Sequence, residues 1–572
     1  MTKPRYSVLL APLVVLMLIL AACGGSATDA QNTAAPSGDA TSSGGQAGAE
    51  QAAGAGMIEQ LDFGGFGGGS NPQVNYNPFS PNALSAVYTF EPLLVFNNYS
   101  CEPVPWLATK YEWKDAQNLV FTIRDGVKWN DGQPFTPEDV VFTYNLLKQN
   151  AAFDSPGLWK TLESVTNNGN EVTFTFKEPA ANMLTRVVDV KMVPKHIWEK
   201  EQDPVTFVNE GAVGTGPFKP ASFNGQQLVL ERNPDYWQAD KVMVQRLIFH
   251  KSAGNQQAEQ LNLSQGKYDT NAMFVPNIKQ VYVDKDPEHN HYWFPPGGAI
   301  SLGFNLTKPP FNDVEFRRGV AHAIDRDSIV TKAQFGYVKN ASQTGLVLPG
   351  QKDWLASDIQ NEGMIAYDPQ QAAQILEQAG YKKDGSGKLL DKEGKPIEFT
   401  FLVQNGWVDW IQAAQIIQQN LSALGMTVNV QTPAPENVES ERALGNFDLV
   451  FAVHGGSCNM YENFYVFGSP QSAPVGQQAI VNYVRFEDPE MDKLINQLRQ
   501  STDEAAQKQA VAGMEKIMVE KMPTIPLWYG ANWFQYSTKR AVGWPNEQNP
   551  YAKPGDSLLV LTNLKPAASA AK

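Results

Sequence analysis

The sequence predicts an α/β fold, and three observations carry that prediction. Residues 397–453 read as strand, helix, strand and strand. Alternating apolar strands recur elsewhere beside amphipathic helices, and no fixed-period repeat competes with the mixture. In the clearest unit Ile397, Phe399, Phe401 and Val403 alternate along a strand. Trp410, Ala414, Ile417, Leu421 and Leu424 then recur at helical spacing, and Gly425 ends the helix. Met426, Val428 and Val430 make the next strand, and so short a strand, helix and strand implies a right-handed parallel crossover. Residues 447–453 are almost wholly apolar, the pattern of a strand buried on both faces.

The earlier elements follow in chain order. Lys3 and Arg5 precede an apolar run over residues 8–22, broken by Pro12, which ends in Leu20-Ala21-Ala22-Cys23-Gly24. Small residues before a cysteine at the end of an apolar core resemble the lipobox of bacterial lipoproteins. The resemblance implies a signal peptide over 1–22 and lipidation of Cys23. Residues 23–56 have no large apolar side chain to offset the entropy of ordering, so they are expected to be a disordered tether, with the globular part starting near Met57. Residues 119–123 alternate as a strand before the turn Asp125-Gly126. Thr136 then reads as an N-cap with Pro137 at the first helical position, Glu138 and Asp139 at the positive helix end, and Val140, Val141, Tyr144 and Leu147 as the buried stripe. Residues 172–176 make another strand, and Gly214-Thr215-Gly216-Pro217-Phe218 breaks the chain before a further one.

Composition narrows the function. A chain of 572 residues with 42% hydrophobic content suits about two to four domains. A net charge of −14 without a basic run in the mature region argues against a nucleic-acid groove, which needs clustered Lys and Arg. Three cysteines are too few for a disulfide-stapled scaffold or a four-thiolate zinc site; Cys101 and Cys458 are either a disulfide or two free thiols. The 13 Trp, 19 Tyr and 29 Phe leave open whether some rings meet a ligand. In an open α/β sheet, ligands bind beyond the carboxyl ends of the strands. Two loops therefore become candidates: Gln404-Asn405-Gly406-Trp407, and His454-Gly455-Gly456-Ser457-Cys458-Asn459.

Several motifs together resemble the family-5 extracellular solute-binding proteins of ABC importers. They are Ile123-Arg124-Asp125-Gly126-Val127-Lys128-Trp129-Asn130-Asp131-Gly132, Thr136-Pro137-Glu138-Asp139-Val140-Val141-Phe142, Gly214-Thr215-Gly216-Pro217-Phe218 and Asn233-Pro234-Asp235-Tyr236-Trp237. Pro310-Phe311-Asn312-Asp313-Val314-Glu315-Phe316-Arg317-Arg318, Ala323-Ile324-Asp325-Arg326 and Ile525-Pro526-Leu527 complete the set. Each also has a structural meaning: Asp313 caps a helix whose buried stripe is Phe316, Val320 and Ile324, and Arg317 and Arg318 are expected to be solvated or salt-bridged. The resemblance implies a periplasmic-binding-protein type II fold, two main α/β lobes with a hinge plus an extra lobe. Lobe one would hold residues 57–97, 212–300 and 523–572, the extra lobe 98–211 and the second main lobe 301–522. The chain would cross at residues 301–305 and return near Pro523, the lobes closing on a solute. It also implies a lipid-anchored, extracytoplasmic, monomeric receptor without cofactor or catalysis, serving a permease pair and cytoplasmic ATPases.

The resemblance puts peptides first among solutes. In the oligopeptide binders an Asp in the loop after the strand matching residues 447–453 pairs with the peptide ammonium. Here that position falls at or near Ser457, and a buried ammonium without a counter-charge costs several kcal/mol. Phe63-Gly64-Gly65-Phe66-Gly67-Gly68-Gly69, Asn77-Pro78-Phe79 and Gly406-Trp407-Val408-Asp409-Trp410 resemble the cellobiose- and β-glucoside-binding branch. The chemistry agrees, because pyranose C–H faces stack on aromatic rings while hydroxyls meet Asn and Asp. The expected solute is an oligosaccharide, with an oligopeptide as the alternative. Phe66, Trp407, Trp410, Tyr461, Trp528 and Trp533 are the candidate stacking residues. Asn77, Asn405, Asp409 and Asn459 are the candidate hydroxyl partners, with His454, Ser457 and Cys458 in the second loop. A glycosidase built on Asp409 and Glu462, and metal capture by His289, His291 or His454, are the competing readings. No nucleophile elbow, zinc helix or phosphate loop supports catalysis, and a lone His-x-His is a weak metal signal.

Overall fold

The computed structural model describes residues 56–66, 73–81, 83–84, 86–154, 157–479 and 481–568. Cys23, with the signal and tether readings, lies outside the described residues. Three sheets organise the rest. A seven-stranded sheet runs, in spatial order, Asn290–Tyr292, Gln535–Ser537, Thr270–Asn271, Leu61–Phe66, Arg246–Lys251, Gln227–Arg232 and Phe218–Phe223. A five-stranded sheet runs Thr427–Gln431, Glu398–Leu402, Leu449–His454, Pro296–Phe304 and Thr524–Ala531. A four-stranded antiparallel sheet, Ala108–Trp113, Asn118–Ile123, Glu171–Phe176 and Leu162–Asn168, lies under the helix Pro137–Gln149. Each sheet has its own apolar core.

Local sequence explains these elements. Glu398–Leu402 and Thr427–Gln431 pair in parallel across the helix Val408–Ala423, whose buried face includes Ala414, Ile417 and Leu421. Gly425 leaves this helix at φ +96°, a conformation open to glycine, and a Cβ there would lie 2.3 Å from the Gly387 carbonyl oxygen. Thr136 and Asp139 form a capping box at the start of Pro137–Gln149, and Asp313 accepts from the Glu315 amide at the start of Val314–Ala323. Leu449–His454 is a central strand whose residues 449–452 are buried on both faces, as its apolar run predicts, while Val453, expected to be buried with them, is 55% exposed near the strand's end.

Two expectations are corrected. Residues 301–304 lie inside the strand Pro296–Phe304, and Thr524–Ala531 is its neighbour in the same sheet. The chain therefore crosses between the seven- and five-stranded sheets at residues 293–296 and returns at residues 531–535, not at 301–305 and Pro523. The two crossings are bonded to each other, the Trp293 amide donating to Phe534 O and the Asn532 amide to Pro295 O, both at 2.9 Å. Alternation marks a strand but not the sheet that accepts it. The second correction is Arg317, which is buried rather than solvated and donates to three backbone carbonyls.

Candidate functional site

The crossings join corresponding ends of the two larger sheets, so the carboxyl ends of Leu61–Phe66 and Arg246–Lys251 and those of Glu398–Leu402 and Leu449–His454 all lie at the crossing end of their sheets. Both predicted loops leave the five-stranded sheet at that edge. In the first, Asn405 is exposed and Trp407 is 44% exposed at the start of the helix Val408–Ala423. Trp407 stands edge-to-face on Trp410 at 4.5 Å, Trp410 on Phe451 at 5.1 Å, and Phe451 on Trp528 at 5.6 Å. This line of rings runs from solvent to core. Trp407 is the exposed end of the line, Trp410 packs behind it, and Trp528, 1% exposed, is scaffold.

Trp528 is thus corrected as a stacking candidate: its strand has both faces covered. Asn77 is corrected too. It is fully buried, donating to Pro204 O and Phe207 O at 3.0 Å and accepting from the Phe79 amide, so it ties two loops together. Asp409 is buried behind Trp407, where Gln334 Nε2 donates to it at 3.3 Å. Burial pushes its carboxyl up to about 6. The folded value exceeds the unfolded one, so the native state holds the extra proton between about pH 4 and 6. Stability from this group is full below that window and is lost as pH rises through it. Asp409→Asn is expected to stabilise the protein by about 2 kcal/mol at pH 7.5 and to change little at pH 4. Urea titrations of both proteins across this range give the comparison, and pH-independent spacing of the midpoints would refute it.

The second loop is held by its own side chains. Gly455 and Gly456 both have positive φ, and a Cβ on either would approach neighbouring backbone within 2.8 Å. Ser457 Oγ accepts from the Asn459 amide, and the Ser457 amide donates to Asn463 Oδ1. His454 packs on Phe467 at 4.8 Å, and burial, with Arg442, pulls its ring down to about 4, so it is neutral at pH 7. Cys458 is disulfide-bonded to Cys101. Asn459 caps a short helix through Oδ1 and donates through Nδ2 to Asn182 O and Thr185 Oγ1, so both its ends serve the protein. Tyr461 stacks on Tyr465 beside Arg186, which pairs with Glu462 at 2.7 Å. Trp533 lies in the returning crossing, enclosed by Phe274, Phe294 and Tyr337. The side chain of Phe66 lies outside the described residues.

A cavity of about 970 Å³ opens beside this loop, between residues 182–191, residues 457–465 and residues 555–558. Arg186, Asp189, Lys191, Glu462 and Arg499 bring charge to its wall. Of the residues singled out in the sequence, Ser457, Cys458 and Tyr461 line this chamber; its opposite walls, residues 182–191 and 555–558, were missed because they come from segments up to hundreds of residues away. Tyr99 and Tyr292 are further exposed aromatics near the crossings, Tyr99 lying 6.0 Å from Trp293. Asp409 and Glu462 have separate partners, Gln334 and Arg186. Among the described residues no group of three His, Cys, Asp or Glu is placed to hold a metal ion.

Comparison with known proteins agrees with this architecture. A model of the bacterial extracellular solute-binding proteins, family 5 middle, matches residues 102–473. The oligopeptide-binding protein AppA of Bacillus subtilis is 26% identical over 422 residues, covering 72% of this chain and 75% of AppA. The periplasmic oligopeptide-binding protein of an oligopeptide ABC transporter from Thermotoga maritima is 28% identical, with TM-score 0.82 over 89% of this chain and 99% of the other. The structure of that Thermotoga protein with mannohexaose bound gives TM-score 0.76 at the same identity and coverage.

Proposed function

The chain belongs to the bacterial extracellular solute-binding proteins of family 5, the binding subunits of ABC importers, and we propose that its solute is an oligosaccharide held between two closing lobes. It binds its solute without transforming it, as its relatives are named binding proteins. The observation that carries the sugar reading is Trp407, an exposed indole beyond a strand's carboxyl end, backed by Trp410 and flanked by exposed Asn405. The mannohexaose bound by the Thermotoga relative supports the same class. The proposed lobes are those of the sequence reading with their boundaries moved to the observed crossings. Lipidation at Cys23 would hold the receptor at the extracytoplasmic membrane face, where it hands its solute to a permease powered by ATPases. No described helix is long and apolar enough to cross a membrane.

An oligopeptide is the second reading, favoured by the charged chamber with Asp189 and Lys191 on its wall and by the oligopeptide-binding relatives. A thermal-shift panel of β-glucosides, manno-oligosaccharides and short peptides separates the two, because a ligand that prefers the folded state raises the melting temperature. The proposal expects sugars to raise it; peptides alone doing so would transfer the assignment. Trp407→Ala is expected to weaken sugar binding at least about tenfold while leaving the solute-free melting temperature unchanged, and His289→Ala to leave affinity unaltered. Titration calorimetry reads both, and equal effects would remove Trp407 from the site.

A further inference from the structure

The Cys101–Cys458 disulfide joins two parts of the molecule that the crossings otherwise allow to move apart. Cys101 lies in the turn between the paired strands Leu94–Asn97 and Glu102–Pro105. Leu94 and Val95 are buried in the core of the four-stranded sheet. The turn is also pinned to the C-terminal segment, Asn97 Nδ2 donating to Tyr551 O at 2.8 Å and Asn98 Nδ2 to Asp556 Oδ1 at 2.6 Å. The helix that follows, Ser557–Asn563, buries Leu558 and Leu559 in that same core and Val560 and Leu561 in the core of the seven-stranded sheet. Hairpin, four-stranded sheet and seven-stranded sheet are therefore packed as one body.

Cys458 belongs to the other body. Its loop follows the strand Leu449–His454, and the Ser457 carbonyl accepts from Gln351 and Asn463. Met460 and Phe464, just beyond it, are buried with Leu494 and Met514. The bodies are continuous in backbone at residues 293–296 and 531–535, a pair of mutually hydrogen-bonded connections between strands, suited to act as a hinge. The disulfide spans 357 residues and makes a third covalent connection between them. Around it the Arg186–Glu462 pair, the Arg499–Glu178 pair and the Asn459 bonds to Asn182 and Thr185 form a seam. Water can replace those polar contacts when the bodies part, but it cannot replace the S–S bond. Cys101 is held at φ +61°, a backbone region that residues with a Cβ seldom adopt, so its placement is imposed by the surrounding bonds.

We propose that the Cys101–Cys458 disulfide is a clasp that sets how far the receptor opens, and hence which solutes enter its cleft and how fast they leave. The Cα atoms are 5.1 Å apart, and disulfides hold Cα atoms within about 7 Å, so the seam stays shut at that point. Opening is then confined to motions that keep Cys101 and Cys458 together, so the chamber wall by Cys458 and Tyr461 stays close to its opposite wall. Without the bond the whole seam parts, admitting longer solutes and releasing them faster. This rests on the solute-binding reading for its consequence but not for its motion.

Small-angle scattering of the solute-free protein tests the motion. The C101S/C458S double variant is expected to show a radius of gyration larger by roughly 1 Å on a body of about 24 Å. The wild-type protein treated with a water-soluble phosphine is expected to match it. That reagent cleaves the S–S bond to two thiols, with two protons from solvent, as the phosphine takes oxygen from water to become its oxide. Circular dichroism confirms that both remain folded, and the reduced wild type provides the measurement if the variant does not. An unchanged radius in the folded, disulfide-free protein overturns the proposal. Failure of every sugar and peptide to bind would sink the solute assignment while leaving this measurement intact.

Discussion

Arg317→Ala is expected to destabilise the protein by about 3–5 kcal/mol, because the substitution leaves buried backbone acceptors without a donor. The Arg317 side chain is 5% exposed, and its Nε donates to Met522 O at 2.8 Å while one terminal nitrogen donates to Phe311 O at 2.6 Å and the other to Lys521 O. Lys521 ends the helix Glu504–Lys521, and Met522 follows at φ +44°. The carbonyls at such an end have no partner within the helix and carry its negative pole, so a cation is the suited donor. Burial lowers the affinity of the guanidinium for its proton to about 10, still far above neutrality, so the group remains charged. Arg317→Met restores much of the volume but none of the donors and is expected to lose nearly as much. The neighbouring Arg318→Ala removes a more exposed bond to Glu520 O and is expected to lose less than about 1 kcal/mol. Guanidinium unfolding of the three variants gives the ranking. A loss below 1 kcal/mol for Arg317→Ala would show that water satisfies those carbonyls.

The same arginine marks where the sequence stops being informative. The Asp313 cap and the stripe of Phe316, Val320 and Ile324 were legible because their partners lie within one helix and its periodicity. Arg317 was not, because two of its three acceptors, Met522 O and Lys521 O, lie some 200 residues away and nothing local distinguishes a buried arginine from a solvated one. The site divides in the same manner. That Trp407 and the second loop share one sheet edge was legible because strands of an α/β unit deliver their carboxyl ends to the same side, a rule that needs only the order of elements. Trp528 was misjudged because its burial depends on which layers cover its strand, and Asn77 because its carbonyl partners are near residue 204. Cys101 and Cys458 had no periodic signal to connect them; their pairing exists through the assembled cleft. Short-range chemistry thus wrote the elements and the edge at which a solute would sit, while the walls of the chamber and the clasp arise from packing between distant segments.

Gly214→Ala is expected to cost about 3 kcal/mol or more and to lower the yield of folded protein sharply. Its φ is not in the left-handed region, so backbone freedom does not explain the glycine; space does. A Cβ at 214 would stand 1.9 Å from the Thr89 carbonyl oxygen, and one at 216 would stand 2.4 Å from that of Tyr88. Both obstacles are backbone, so no rotamer change relieves them. The Gly216 amide donates to Thr89 O at 2.9 Å and the Asn130 amide to Gly214 O at 2.9 Å, which fixes the close approach from both sides. Any shift that accommodates a methyl group must break those bonds and move residues 88–89, which lead to Phe90 and Glu91 at the join between two cores. Glu91 is fully buried and accepts from Tyr236 at 2.7 Å and Trp237 at 3.2 Å. Overpacking of this kind exceeds the usual 1–3 kcal/mol of a misfitted methyl because the surroundings cannot relax as side chains do. Gly126→Ala is the control: φ there is +78° with open space around the Cβ, so it reports conformational strain alone, about 1 kcal/mol. If chemical denaturation gave the two variants equal losses, the close approach at Gly214 would be soft. A difference of about 2 kcal/mol or more would show that the close approach to Tyr88 and Thr89, and not backbone conformation, is what requires glycine here, a role in the scaffold and not at the solute.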